Sequence, residues 1–161
     1  MLSNREFSAL VDKGTYPEQV SVPLDTPFTN HNGTIQNLLL ERFSSAAVIT
    51  SVAGSIRANH WHRTDWHYSY VVSGVVEYYH RLLGSGAKPK HERYEAGKMF
   101  FTPPNVEHAM FFPEATVFIT LAKNIRDTAH HEEDVVRVPL IAATPDPNRA
   151  NHWVISFPGA E

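Results

Sequence analysis

The feature that most limits what this chain can become is a rhythm of short apolar segments. From Gly33 onward, apolar or β-branched runs recur: IQNLLLERF, AAVITSVAG, YSYVVSG, VVEYYHRLL, KMFFTPP, HAMFF, TVFITLA and DVVRVPL. A spacing of roughly eight to twelve residues, punctuated by Gly, Pro and Ser, is that of an antiparallel sandwich or barrel. At 161 residues the chain suits one such domain with a single core. Tyr68, Tyr70, Tyr78, Tyr79, Phe100, Phe101, Phe111 and Phe112 are expected to fill its interior or a dimer face.

The flanks read differently. Ser3 followed by Glu6 has the form of a capping box, with Phe7, Leu10 and Val11 on one face and Gly14 as a stop, which predicts a short N-terminal helix. Between Thr15 and Gly33, the prolines at 17, 23 and 27 and the Asn32-Gly33 turn signal predict an extended or irregular arm. Beyond Ala142 the tail carries Pro145, Pro147 and Pro158, with NHWVISF as a late edge strand. The expected organisation is an arm over 1–33, a barrel over 34–141 and a Pro-rich tail over 142–161.

Composition removes several classes of function. The net charge is −3 and no run of Lys or Arg forms the footprint that nucleic acid or an anionic membrane requires, so neither partner is expected. Without cysteine there are no disulfides, thiolate sites or cysteine nucleophiles, and any metal must be held by nitrogen and oxygen. No basic segment leads into an apolar core at the N-terminus, and no run reaches the roughly 18 apolar residues of a membrane span. A cytoplasmic protein is expected.

Two stretches carry the chemistry. The first is Gly54-Ser-Ile-Arg-Ala-Asn-His60-Trp-His62-Arg-Thr-Asp-Trp-His67-Tyr-Ser-Tyr-Val-Val-Ser-Gly74. On a strand, side chains two apart share a face, so His60 and His62 point together. His67 follows at an odd offset, so residues 63–66 must turn the chain, and a hairpin return is expected to bring His67 opposite the pair. The second stretch is Gly97-Lys-Met-Phe-Phe-Thr-Pro103-Pro-Asn105-Val-Glu-His108, in which Pro103 to Asn105 supply a turn and His108 opens a strand. An inward His108 places Met110 and Phe112 on its face, as Ser69 shares that of His67, giving a mostly apolar pocket wall.

These stretches resemble the two cupin signatures, G(x)5HxH(x)4E(x)6G and G(x)5PxG(x)2H, and match both in spacing. The resemblance implies an all-β, cupin-type antiparallel β-barrel or jelly roll, and one divalent metal ion held by His60, His62, His67 and His108. His67 stands where the family usually has Glu, and Asn105 where it usually has Gly. Asn tolerates the left-handed turn conformation, so the second change is mild. The first replaces a carboxylate by a fourth neutral imidazole, leaving the ion's charge uncompensated and its open positions suited to an anion, hydroxide or enolate. Asp65, on the turn, is the competing oxygen ligand if His67 faces elsewhere. Neutral nitrogen donors suit Zn, Fe, Ni or Mn. His31, His80, His91, His130, His131 and His152 fall outside the pattern and read as polar surface or partly buried residues. Many single-domain cupins are dimers that exchange N-terminal strands, so the resemblance also implies a homodimer.

Fold alone does not choose a reaction. The segments Asn59-His-Trp-His62 and Val-Val-Ser-Gly74 resemble cupin domains of bacterial capsule and nucleotide-sugar enzymes, including the sugar-isomerase-like group. That points first to a small-molecule enzyme whose metal acts as a Lewis acid on a carbonyl during keto-sugar isomerisation or epimerisation. Tyr78, Glu77, His80 and Glu107 are candidates to move protons, without spacing to favour one. The alternatives are an Fe(II) dioxygenase holding its ion with His60, His62 and His108, a polyketide-cyclase-type metallocupin, and a ligand-binding or sensor cupin without turnover.

Overall fold

The computed structural model describes residue 17 and residues 19–160. The helix expected between Ser3 and Gly14 lies outside the described residues. In chain order the elements are β1 (Ser21–Val22), β2 (Phe28–Asn30), β3 (Gly33–Ile35), β4 (Ser45–Ser51), β5 (Ile56–His62), β6 (His67–Ser73), β7 (Val75–Leu82), β8 (Lys90–Glu95), β9 (Met99–Thr102), β10 (Val106–Phe111), β11 (Thr116–Ala122), α1 (Thr128–Asp134), β12 (Val135–Arg137), β13 (Ala142–Pro145) and β14 (Trp153–Ser156).

Two five-stranded antiparallel sheets, ordered β1-β9-β6-β11-β4 and β12-β5-β10-β7-β8, make the cupin-type jelly roll that the motifs imply. Val71, Val76, Tyr78, Tyr94, Phe100, Met110, Phe112 and Phe118 form the core between them. Segments before β4 and after β12 then close the two outer faces. Val22, Leu24, Leu38 and Leu39 cover Trp66, Tyr68, Met99, Phe101 and Leu121 on one sheet. Val138, Trp153, Ile155 and Phe157 cover Tyr79, Ala109, Phe111, Leu140 and Ile141 on the other. Central strands therefore bury both faces, which is why MFFT and VEHAMF read as continuous apolar runs rather than alternating ones.

Several expectations are refined. Of the run IQNLLLERF only Ile35 belongs to a strand; the rest is irregular, with Leu38 and Leu39 serving as the lid on the first sheet. The strand β8, KHERYE, is charged along most of its length because it is an edge strand, and its solvated face gives no apolar run to read. Residues 28–35 form a small hairpin, β2 with β3, turning through Asn32 and Gly33, and β13 pairs with β14 near the C-terminal end. Among the described residues no helix is long and apolar enough to cross a membrane.

The motif glycines have steric causes. At Gly74, φ is +81° and an added Cβ would lie 2.5 Å from the carbonyl oxygen of Ala115, so the one-residue turn that carries the chain from β6 in one sheet to β7 in the other closes only on glycine. At Gly54, φ is +79° and a Cβ would lie 2.1 Å from the Trp153 ring, which packs flat against the turn. Asn105 takes the left-handed conformation, with φ +59°, as its position in the motif requires.

Candidate metal centre

Four of the ten histidines meet inside one end of the barrel. His60 and His62 lie on β5, and His108 lies on β10 directly across the ladder from His60. Their approach depends on a bulge. Ala58 and Asn59 both have positive φ, 65° and 53°, and β10 pairs His108 with His60 but Ala109 with Ala58, so Asn59 is the extra residue. The Asn59 side chain accepts from the Ile141 backbone N–H and donates to its carbonyl, each at 3.0 Å, which holds the bulge open. Backbone strain is thus concentrated immediately before the first site histidine.

His67 arrives differently from the hairpin that its offset suggested. Strands β5 and β6 belong to opposite sheets and share no ladder, so residues 63–66 carry the chain across the barrel end rather than back alongside itself. In a jelly roll, consecutive strands commonly switch sheets, and a local offset cannot register that. The result still places His67 near the others, across the interior.

The His60 ring centroid lies 4.7 Å from those of His62 and His108, and those two are 5.4 Å apart. His67 is 5.3 Å from His62 and 5.5 Å from His108. The ligand nitrogens of His60, His62 and His108 all fall within 4.8 Å of one another; a second such group joins His62, Asp65 and His67. His62, His67 and His108 are buried, and His60 is half-buried at the mouth.

What lies behind each ring decides what it offers. His62 Nδ1 is 3.0 Å from Asp134 Oδ2, and His108 Nδ1 is 3.0 Å from the Val106 carbonyl oxygen. Both partners only accept, so each Nδ1 carries the hydrogen and each Nε2 keeps its lone pair. Those two Nε2 atoms are buried without any hydrogen-bond partner. A buried acceptor left bare costs roughly 1–3 kcal/mol, and a carboxylate or carbonyl behind the ring is the usual support of a metal-bound histidine. With His60 beside them, the donor set fits one divalent transition ion, which imidazole nitrogens hold at about 2.0–2.1 Å in the case of zinc.

Asp134 ends α1 and knits the site together. Its carboxylate also accepts from the Thr64 backbone N–H at 2.8 Å, the Thr64 hydroxyl at 2.7 Å and the Asp65 N–H at 3.3 Å. Burial opposes its charge, but these bonds and the His62 ring outweigh burial and hold the carboxyl well below the usual range. Asp65 is committed elsewhere: Oδ1 accepts from the Asn124 N–H and Oδ2 from Arg126 Nε, each at 2.8 Å. Arg126 Nη2 in turn reaches His67 Nδ1 at 2.8 Å.

Three of the rings are held neutral by their surroundings. Burial and the neighbouring imidazoles of His62 and His131 lower His60 to about 3. Burial, then Arg126, pushes His67 well below its usual value, and burial with His60 and His62 does the same for His108.

Of the suggested proton carriers, Tyr78 and His80 share the interior face of β7. The Tyr78 hydroxyl pairs with Thr102 Oγ1 at 2.8 Å, its ring is 6.2 Å from His108, and His80 stacks on it while bonding Glu92. Glu77 and Glu107 lie on the outer faces, tied to Arg93 with His91 and to Arg81 respectively. Sequence reasoning passed over two residues. Asp134 opens the run DVVRVPL and carries no motif spacing of its own. His131, outside the motif pattern, is half-buried on α1 with its ring 6.0 Å from both His60 and His62. Only the packing of α1 against the barrel end reveals either. His31, His91, His130 and His152 are exposed.

No family model and no curated protein matches the sequence. Solved structures do match. A double mutant of the 3,4-ketoisomerase QdtA from Thermoanaerobacterium thermosaccharolyticum, in complex with TDP, aligns over 76% of this chain and 89% of its own at 19% identity, with a TM-score of 0.60. A 3,4-ketoisomerase from Helicobacter canadensis aligns over 76% of this chain and 92% of its own at 14% identity and a TM-score of 0.61. The dTDP-6-deoxy-D-glucose-3,5-epimerase RmlC from Legionella pneumophila, in complex with dTDP-4-keto-L-rhamnose, aligns over 70% of this chain and 68% of its own at 16% identity and 0.55. At such identities the likeness establishes the fold.

Proposed function

We propose that this protein is an isomerase or epimerase of a keto-sugar carried on a nucleotide, with a divalent metal held by His60, His62 and His108. The observation that carries the metal is the pair of buried, unpartnered Nε2 atoms on His62 and His108, each with its Nδ1 hydrogen fixed by an acceptor behind it. A bound ion would supply Lewis-acid polarisation of the substrate carbonyl. The chain's own part is to hold three ring nitrogens in place, two of them buried.

The sugar class is supported by the fold shared with the ketoisomerases and the epimerase. A cavity of about 430 Å³ lined by Tyr78, His80, Leu82, Lys88, Lys90 and Val106 has room for the nucleotide part, with two lysines for its phosphates. Its Tyr78 wall is the ring that also faces His108. We assign proton transfer at the carbon beside the carbonyl to His131. Burial, then Arg126, lowers its pKa, so it is neutral and able to accept a proton.

The His62–Asp134 pair favours a second reading without metal. There His62 Nε2 itself would take the proton, and Asp134 would stabilise the resulting imidazolium.

Elemental analysis of untagged protein, followed by chelation, separates the two readings. The assay is deuterium uptake from heavy water into a thymidine-diphosphate 4-keto-6-deoxyhexose. Stoichiometric metal, and exchange that stops on chelation and returns with the ion, supports the metal enzyme. Exchange that survives in metal-free protein supports the histidine–aspartate base. Oxygen consumption without exchange would replace both with an oxygenase. We also propose a homodimer, for which light scattering should give twice the chain mass; a monomer mass refutes it.

A further inference from the structure

We propose that His67 is not a metal ligand but a fixed hydrogen-bond donor to an oxygen of the substrate, set in that role by Arg126. The substrate half of this statement rests on the carbonyl-sugar reading above; the assignment of the ring does not.

The argument is one of polarity. A guanidinium has only donors and does not lose its proton in a protein. With Arg126 Nη2 at 2.8 Å, His67 Nδ1 must therefore be bare and accepting. A neutral imidazole with a bare Nδ1 carries its hydrogen on Nε2. A nitrogen that carries hydrogen cannot ligate. His62 and His108 show the opposite arrangement, with acceptors behind Nδ1 and bare Nε2 atoms. The rings that look alike in the sequence are thus set in two different states by what stands behind them.

Arg126 is not free to release His67. Its Nε donates to Asp65, which is 1% exposed and otherwise occupied by the Asn124 N–H. The carboxylate balances the guanidinium charge and fixes its plane. His67 is outside the group formed by the ligand nitrogens of His60, His62 and His108, and in the second group, which it forms with His62 and Asp65, both Asp65 oxygens are already taken by Asn124 and Arg126.

The same wall offers a second donor. Ser69 lies two residues along β6 from His67, on the interior face, fully buried, and its hydroxyl has no partner. A wall with an imidazole N–H and an unpaired hydroxyl suits a ligand rich in oxygen acceptors, such as the carbonyl and neighbouring hydroxyl of a keto-sugar. Tight binding of such a group needs partners on the protein, because buried polar atoms left unpaired are costly.

Three measurements test this. In metal-free wild-type protein labelled with 15N-histidine, long-range proton–nitrogen spectra should show His67 as the Nε2–H tautomer and His62 and His108 as Nδ1–H tautomers; His67 found as Nδ1–H overturns the proposal. In zinc titrations against a competing chelator, His67→Leu should bind within about threefold of wild type, while His62→Ala should lose about a hundredfold or more, the scale of a lost ligand or its support. His67→Gln, which keeps an N–H near the position of Nε2, should recover much of the kcat that His67→Leu loses. Zinc affinity that falls as far in His67→Leu as in His62→Ala would make His67 a ligand and end the proposal. Wild-type protein that takes up no zinc overturns the metal reading alone, since the tautomer spectrum still decides the state of His67.

Discussion

Replacing Asp134 by Asn changes one oxygen to an amide and should have effects on stability and metal binding that can be worked out bond by bond. The wild-type carboxylate accepts from His62 Nδ1 at 3.0 Å, Thr64 N at 2.8 Å, Thr64 Oγ1 at 2.7 Å and Asp65 N at 3.3 Å. The Asn oxygen can keep the two Thr64 bonds, without charge. Its NH2 then faces the His62 and Asp65 N–H groups, donor against donor. Losing one charge-assisted bond and weakening others costs about 2–4 kcal/mol. For a chain of this size that lowers Tm by about 5–15 °C. The His62 ring can relieve the clash by moving its hydrogen to Nε2, which removes a ligand lone pair, so zinc should bind about 10–100-fold more weakly. The pH dependence has a definite sign. The wild-type carboxyl is held below its usual value, so its charge-dependent contribution is complete above about pH 4 and fades as pH falls through the lowered value. The gap between the proteins in urea unfolding should be flat around neutrality and narrow only in strong acid. An Asp134→Asn protein with unchanged Tm and zinc affinity would refute the claim that this carboxylate orients His62.

Acid lability of the metal-free protein should follow from the buried rings. His60, His67 and His108 have folded pKa values below the unfolded value of about 6.5, so below that pH the unfolded chain binds more protons and stability falls. Each ring adds a slope of up to about 1.4 kcal/mol per pH unit, and denaturant midpoints that stay level between neutral and mildly acidic pH would contradict this. Gly74→Ala should cost about 2–4 kcal/mol or prevent folding, because the new Cβ meets the Ala115 carbonyl at 2.5 Å in a left-handed conformation; a thermal melt matching wild type would show that the β6–β7 turn can relax. Tyr78→Phe leaves the buried Thr102 hydroxyl without its 2.8 Å partner and should cost about 1–3 kcal/mol by urea unfolding. A neutral result there would mean that water replaces the phenol.

The barrel was legible because its requirements are local. A strand needs β-branched and aromatic residues in short runs, and a left-handed turn needs Gly or Asn. Gly54, Gly74, Gly97 and Asn105 all have positive φ at the positions where the spacing demanded turns. The runs that became β4, β6, β7, β9, β10 and β11 were visible for the same reason. Where the reading failed, the cause was non-local. Strand β8 is polar because it lies at an edge, and Leu38 and Leu39 are apolar because they cap a sheet built from later residues. The offset of His67 suggested a hairpin because sequence distance does not reveal that the chain has changed sheets.

The site divides along the same line. The local pattern was enough to pick out His60, His62 and His108, since the alternation of β5 aligns the first two and the turn before β10 delivers the third, whereas His131 comes to the same place on a helix that no motif announces. What each nitrogen can do depends on partners that folding brings from far along the chain. Asp134 reaches His62 from 72 positions away, and Arg126 reaches His67 from 59. An imidazole carries one hydrogen on either of two nitrogens, and its partner selects which. Identical side chains thus become ligands or donors according to the acceptor or donor that folding packs behind them.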